Sequence, residues 1–78
     1  MDKQKLSNIL DAVKVEQIKS IQLRTVGLLD VFGKIIIDIE YIDDSKQSIE
    51  IQSPVPVDII TKWLDTNALL DRTVLYKF

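Results

Sequence analysis

Carboxylates are the side chains of this sequence with the clearest capacity for catalytic chemistry. Asp38 and Glu40 lie two residues apart in an alternating run, and Asp43 and Asp44 are adjacent in a polar turn. Paired carboxylates carry out acid–base chemistry when burial or a like charge drives their pKa values apart. Strand faces and turns of this polarity normally face water, so we expect these four residues to be solvated and not catalytic. The stretch Asp43-Asp44-Ser45 also lacks the spaced oxygens and central glycine of an EF-hand calcium loop.

The chain contains no histidine and no cysteine, which removes the commonest general base and the thiolate ligands of metals. Its serines have no histidine to activate them and no G-x-S-x-G elbow. Gly27 and Gly33 are separated by a hairpin and do not form a phosphate-binding loop. The sequence therefore predicts a protein that is not an enzyme, with no catalytic residue, no metal site and no cofactor.

Length and charge define the broad class of the protein. The 78 residues, with a net charge of −2, predict one small domain spanning residues 1–78. Purely apolar runs such as Ile35–Ile37 are far shorter than the roughly 20 residues of a membrane span, and there is no signal-peptide h-region. We expect a cytoplasmic protein without a membrane segment, and the acidic balance makes nucleic acid an unfavoured partner. Because no disulfide or metal supports so small a core, we expect a homo-oligomer, with a dimer favoured.

The spacing of the apolar residues predicts two helices. One apolar stripe at helical spacing predicts a helix over about residues 3–15, and a second predicts a helix over about residues 56–66 that starts at Pro56. The members of the two stripes are Leu6, Ile9, Leu10 and Val13, then Ile59, Ile60, Trp63 and Leu64. We expect Trp63 to anchor the second helix in the core.

From Ser20 the apolar period changes to two, which predicts three successive β-strands before the second helix and a fourth strand in the C-terminal stretch "RTVLYKF". The element order is therefore α-β-β-β-α-β. We predict an α+β fold, a small two-layer sandwich with both helices on a four-stranded antiparallel sheet.

The alternation also predicts the register of the first hairpin. If Ile21 and Leu23 share a face with Ile35 and Ile37, their cross-strand partners have the same parity and the loop has an odd length. A three-residue loop over residues 31–33 satisfies this condition and gives Gly33 the left-handed position of a G1 bulge. Phe32 then lies at the exposed tip. The same parity pairs Tyr41 with Ile49 and Ile39 with Ile51 in the next hairpin.

Several apolar residues lie on the second face of the predicted sheet, opposite the isoleucine-rich face, and Leu75 is expected to lie there too. A contiguous apolar surface of this kind indicates an interaction site, unless the first helix covers it. We therefore expect a protein–protein interaction module that acts as an adaptor or a stoichiometric inhibitor of a larger protein. The predicted interface residues are Val26, Leu28, Val31, Phe32, Ile36 and Ile42.

A second hypothesis is a binder of small ligands or oligonucleotides, with its site at an oligomer interface. Arg24 and Lys34 would contact anionic groups in such a site, and Tyr41 would stack on a base.

Overall fold

A computed structural model of the chain describes residues 3–29 and 31–77, and describes Tyr76 and Lys77 by their backbone alone. It has two helices and four strands: α1 (Lys3–Asp11), β1 (Ile18–Leu28), β2 (Phe32–Tyr41), β3 (Lys46–Gln52), α2 (Val57–Thr66) and β4 (Thr73–Lys77). Short 3-10 turns at Val15–Gln17 and Leu70–Arg72 lead into β1 and β4. The predicted small α+β fold is confirmed. The first helix ends earlier than predicted, and Phe78 lies outside the described residues.

The core lies between the two helices and one face of the sheet. Odd-numbered strand residues from Ile21 to Ile51 form a buried cluster with Leu6 and Leu10 of α1 and with Trp63 of α2. Since α1 and α2 contribute to the same cluster, the first helix packs on the core side, and the alternative in which it covers the second face does not hold. We call that second face, which carries the even-numbered strand residues from Ser20 onwards, the open face.

The sheet is mixed, so the prediction of a purely antiparallel sheet is wrong. Its spatial order is β3-β2-β1-β4, and β4 runs parallel to β1, with Leu23 opposite Leu75. The reason is the connection through α2. Because β3 and β1 are both antiparallel to β2, and the helix carries the chain back to the starting end of β3, β4 runs in the same direction as β1. Leu75 consequently belongs to the core-side row, although it is 64% exposed.

The first hairpin has the predicted parity and loop length but a different register. Leu28 pairs with Phe32 and Gly27 with Gly33, so the loop comprises residues 29–31 and Phe32 is the first residue of β2. Among the described residues of this hairpin, Gly27 has a left-handed backbone, with a φ of 72°, and Gly33 does not. The observed register has a physical cause, because only glycines fit where the two strands approach each other at this pair. A Cβ atom on either glycine would overlap the backbone of the opposite strand.

The β2–β3 hairpin is also shifted from the predicted register. Ile35 pairs with Ile51 and Ile37 with Ile49, so that Tyr41 is left outside the ladder with β3. The Tyr41 amide instead donates to the Ser45 carbonyl at 2.9 Å across the turn. The core-facing parity survives because the shift is an even number of residues.

The glycine pair leads to a stability prediction. Gly33→Ala places a Cβ atom 2.8 Å from the Leu28 nitrogen and still closer to the Val26 carbonyl oxygen, so the hairpin must open. We expect the free energy of unfolding, measured by urea titration, to fall by roughly 1–3 kcal/mol. The control Gln22→Ala changes an exposed strand residue and is expected to stay within about 0.5 kcal/mol of wild type. Equal stabilities for the two variants would contradict the close approach.

Candidate functional site

The open face is apolar at the end where the first hairpin turns. Leu28 and Phe32 lie directly opposite each other there and are 70% and 84% exposed, and Val31 in the loop is 74% exposed. Val26 and the half-buried Ile36 continue the apolar surface along the two strands. We call these five residues the hairpin-end patch. Val26, Val31 and Phe32 line one side of a shallow depression of about 570 Å³, whose other side includes Gln52 and Ser53.

Two ion pairs border the hairpin-end patch. Lys34 Nζ lies 2.9 Å from Glu50 Oε1 on the β3 side, and Arg24 Nε donates to Asp38 Oδ2 at 2.8 Å between β1 and β2, further along the sheet from the turn. Hydrogen bonding from Lys34 and its positive charge lower the pKa of the exposed Glu50 carboxyl. Both cations beside the patch are therefore neutralised by carboxylates of the same chain.

Five of the six predicted interface residues lie together in the hairpin-end patch, and Ile42 does not. Ile42 follows the other end of β2, where its amide donates to the Gln17 carbonyl at 2.9 Å. The ten residues of β2, at about 3.4 Å each, separate it from Phe32 by roughly 30 Å. The alternation indicates a face for each strand residue but gives no account of distance along the strand.

The residues of the second hypothesis are not brought together either. Arg24 and Lys34 share the open face, each in an ion pair, whereas Tyr41 belongs to the far end of β2 and packs against the core. The Tyr41 hydroxyl donates to Gln47 Oε1 at 2.6 Å. Burial, followed by the negative charge of Asp43, raises the pKa of Tyr41 above its ordinary value. No stacking platform with adjacent cations results from these three residues.

The carboxylates considered for catalysis are engaged in local contacts. Asp38 also accepts a hydrogen bond from the Ser48 hydroxyl, and Lys19 Nζ lies 3.3 Å from Glu40. In the turn, Asp43 accepts from both the amide and the hydroxyl of Ser45, and these bonds lower the pKa of its carboxyl. Among residues 3–29 and 31–77 no three side chains of the metal-binding types gather into a cluster.

Sequence reasoning missed Ser53, which lies in the wall of the depression. Its hydroxyl accepts a hydrogen bond from the Gly33 amide at 3.2 Å and donates to the Val31 carbonyl at 3.0 Å. The available signal was its place directly before Pro54. A strand must leave its ladder there, and a hydroxyl can then replace a missing backbone partner.

Comparison with known proteins gave no match, whether with protein-family models, with curated proteins or with solved structures. In the described part of the chain, no helix has the length and apolarity needed to cross a bilayer.

The Lys34–Glu50 pair predicts a measurable titration. Lys34→Gln removes the main cause of the lowered Glu50 pKa, so the value should rise towards the ordinary 4.5. Any stability that this pair contributes is fully present above about pH 4.5, the ordinary pKa of the carboxyl. It is lost as the pH falls through the lowered pKa of Glu50 in the folded state. NMR titration of the Glu50 side-chain carboxyl measures the shift. An unchanged pKa in the variant would show that the pair does not form in solution.

Proposed function

We propose that this protein is a non-enzymatic protein–protein interaction module that docks through the hairpin-end patch. The patch joins two copies into a homodimer, and the dimer acts as an adaptor or a stoichiometric inhibitor of a larger protein. The observation that carries the proposal is the patch itself, with Leu28, Val31 and Phe32 each at least 70% exposed and contiguous. Contiguous apolar surface on this scale is typical of interaction sites, whereas single exposed apolar residues are ordinary.

The energetics favour Phe32 as the anchor of the contact. Burying a large apolar side chain removes on the order of 100 Å² from water and is worth about 2 kcal/mol. The four exposed members of the five-residue patch, Val26, Leu28, Val31 and Phe32, then offer about 400 Å², within the range of functional patches on small proteins. Phe32 has the largest exposed fraction among them, and aromatic residues dominate the binding energy of many interfaces.

The charges near the patch favour a protein partner over an oligonucleotide. Nucleic-acid affinity depends on cations that are free to neutralise phosphates. Arg24 and Lys34 already contact Asp38 and Glu50, so a phosphate would have to displace a carboxylate from each. An apolar centre with a neutralised polar rim instead matches the usual anatomy of a protein–protein interface.

Phe32→Asp tests the patch. Phe32 contributes to the described fold only as an exposed side chain, so the variant should fold normally and lose self-association. Burying the new carboxylate against an apolar partner would be costly, and we expect the dimer dissociation constant to rise at least about a hundredfold. Size-exclusion chromatography with light scattering over a range of concentrations measures the change.

The matched control is Ile42→Asp, which makes the same change at a residue that is 65% exposed at the opposite end of β2. It should dimerise as wild type does. A wild-type chain that stays monomeric at high concentration would refute the dimer, and equal losses in the two variants would refute the location.

The dependence on salt separates the two hypotheses. Because the rim charges are neutralised within the chain, raising the salt from about 0.05 M to about 0.5 M should change the dimerisation constant little. A single-stranded oligonucleotide added as a probe should show no binding at the lower salt. Oligonucleotide binding that weakens steeply with salt would favour the second hypothesis instead.

A further inference from the structure

We propose that Ser53 is a positioning residue that holds the hairpin-end patch in one preformed shape for packing against a second copy of this chain. This inference rests on the proposed function, because it takes the patch to be the docking surface, and it names the partner and the residue that prepares the surface.

Ser53 joins the hairpin end to the segment that follows β3. Its amide donates to the Gly33 carbonyl at 2.9 Å, and its hydroxyl accepts from the Gly33 amide at 3.2 Å. In a regular antiparallel ladder the second of these bonds would go to the Ser53 carbonyl. The same hydroxyl donates to the Val31 carbonyl at 3.0 Å, so one side chain links the loop to the first residues of β2.

The next residues strengthen this attachment and link it to the core. The Val55 amide donates to the Leu29 carbonyl at 3.0 Å, and the Val55 side chain is buried in the core cluster. The loop is thus bonded on both sides of residue 30 to a segment that is itself anchored. We call the bonds from Ser53 and Val55 to the hairpin the latch.

The hairpin end needs a latch because side-chain packing cannot hold it firmly. On the core-facing row, the last cross-strand pair is Gly27 and Gly33, which have no side chains to bury. Beyond them only Leu29, among the described residues, packs partly against the core. Without the latch, the loop and the first residues of β2 would move as one weakly held unit.

A held hairpin end makes a better docking surface. Association must offset the entropy lost when loops and side chains become ordered at the interface, and a preformed surface has already lost much of it. The latch acts on backbone atoms of Val31 and Gly33, the two neighbours of Phe32 in the chain. It therefore restrains the backbone on both sides of Phe32, from which the aromatic ring projects.

Area and charge favour a second copy as the occupant. A specific interface buries about 1,000 Å² or more in total. Two patches of about 400 Å² together with part of each rim reach that size. The rim ion pairs are complete within one chain, so an identical surface supplies no unbalanced charge against them. A two-fold arrangement, in which each patch contacts its own copy, satisfies both conditions.

The test uses Ser53→Ala in the full chain, with Ser53→Thr and Ser45→Ala beside it. Ser53→Ala removes the hydroxyl bonds of the latch, whereas Ser53→Thr retains a hydroxyl. Ser45→Ala removes a turn hydroxyl at the other end of the sheet. Sedimentation velocity should show a dimer dissociation constant about tenfold higher for Ser53→Ala, with Ser53→Thr close to wild type and Ser45→Ala unchanged.

Amide hydrogen exchange provides the readout that a general loss of stability would not produce. In Ser53→Ala, exchange should accelerate at Gly33 and Leu28 and stay slow at Ile37 and Ile51 in the sheet centre. In the wild-type chain the Gly33 and Val55 amides should both be protected. Free exchange at either one overturns the latch without the use of any variant.

The outcomes separate the latch from the proposed function. If Phe32→Asp abolishes the dimer but Ser53→Ala dimerises as wild type does, the latch is wrong and the patch stands. If the wild-type chain is monomeric, or if its dimer is indifferent to Phe32→Asp, the proposed function itself fails. A loss of affinity accompanied by faster exchange throughout the sheet also overturns the positioning role, because the hydroxyl would then support the whole fold.

Discussion

At Gly27 and Gly33 the first two strands approach so closely that neither position has room for a Cβ atom. This contact fixes the register of the hairpin, and a strand register decides which face every side chain occupies. With the glycines paired, Ile21 and Ile39 meet on the core side and Leu28 and Phe32 meet on the open side. The buried core and the exposed hairpin-end patch are therefore two results of one backbone constraint.

The small size of the chain gives the open face its importance. Two short helices cover one side of a four-stranded sheet, and the described residues of the other side are polar residues, the patch and Val74 of β4, which is 49% exposed. Towards the middle of that face, Asp38 is bonded to both Arg24 and Ser48, which suits a surface in water. At the hairpin end the Lys34–Glu50 pair lies on the β3 side, and the facing residues Leu28 and Phe32 are apolar and exposed. The contrast within one face is the reason for assigning docking to that end, and the latch at Ser53 explains how a glycine-lined hairpin end can present it in a fixed shape.

The periodicity of the sequence predicted the elements, the core parity and the odd hairpin loop, because these depend on local alternation alone. It placed the loop two residues too late, since Gly33 was read as a turn residue when its role is to face Gly27 across the strands. The direction of β4 depends on a helical crossover, which alternation does not encode. Ile42 and Tyr41 were grouped with residues at the other end of the sheet because periodicity ignores distance along a strand. Ser53 acts through its hydroxyl at a strand end, and no apolar pattern marks it.

The most direct test of the central claim is the concentration dependence of the backbone amide signals of the wild-type protein in solution. If two copies pack through the hairpin-end patch, dilution should shift the signals of Val26, Leu28, Phe32 and Ile36 together along one binding curve. The signals of Ile42, of the β3 edge and of both helices should stay in place. Shifts centred on the β3 or β4 edge, or no shift over the accessible concentrations, would contradict the account.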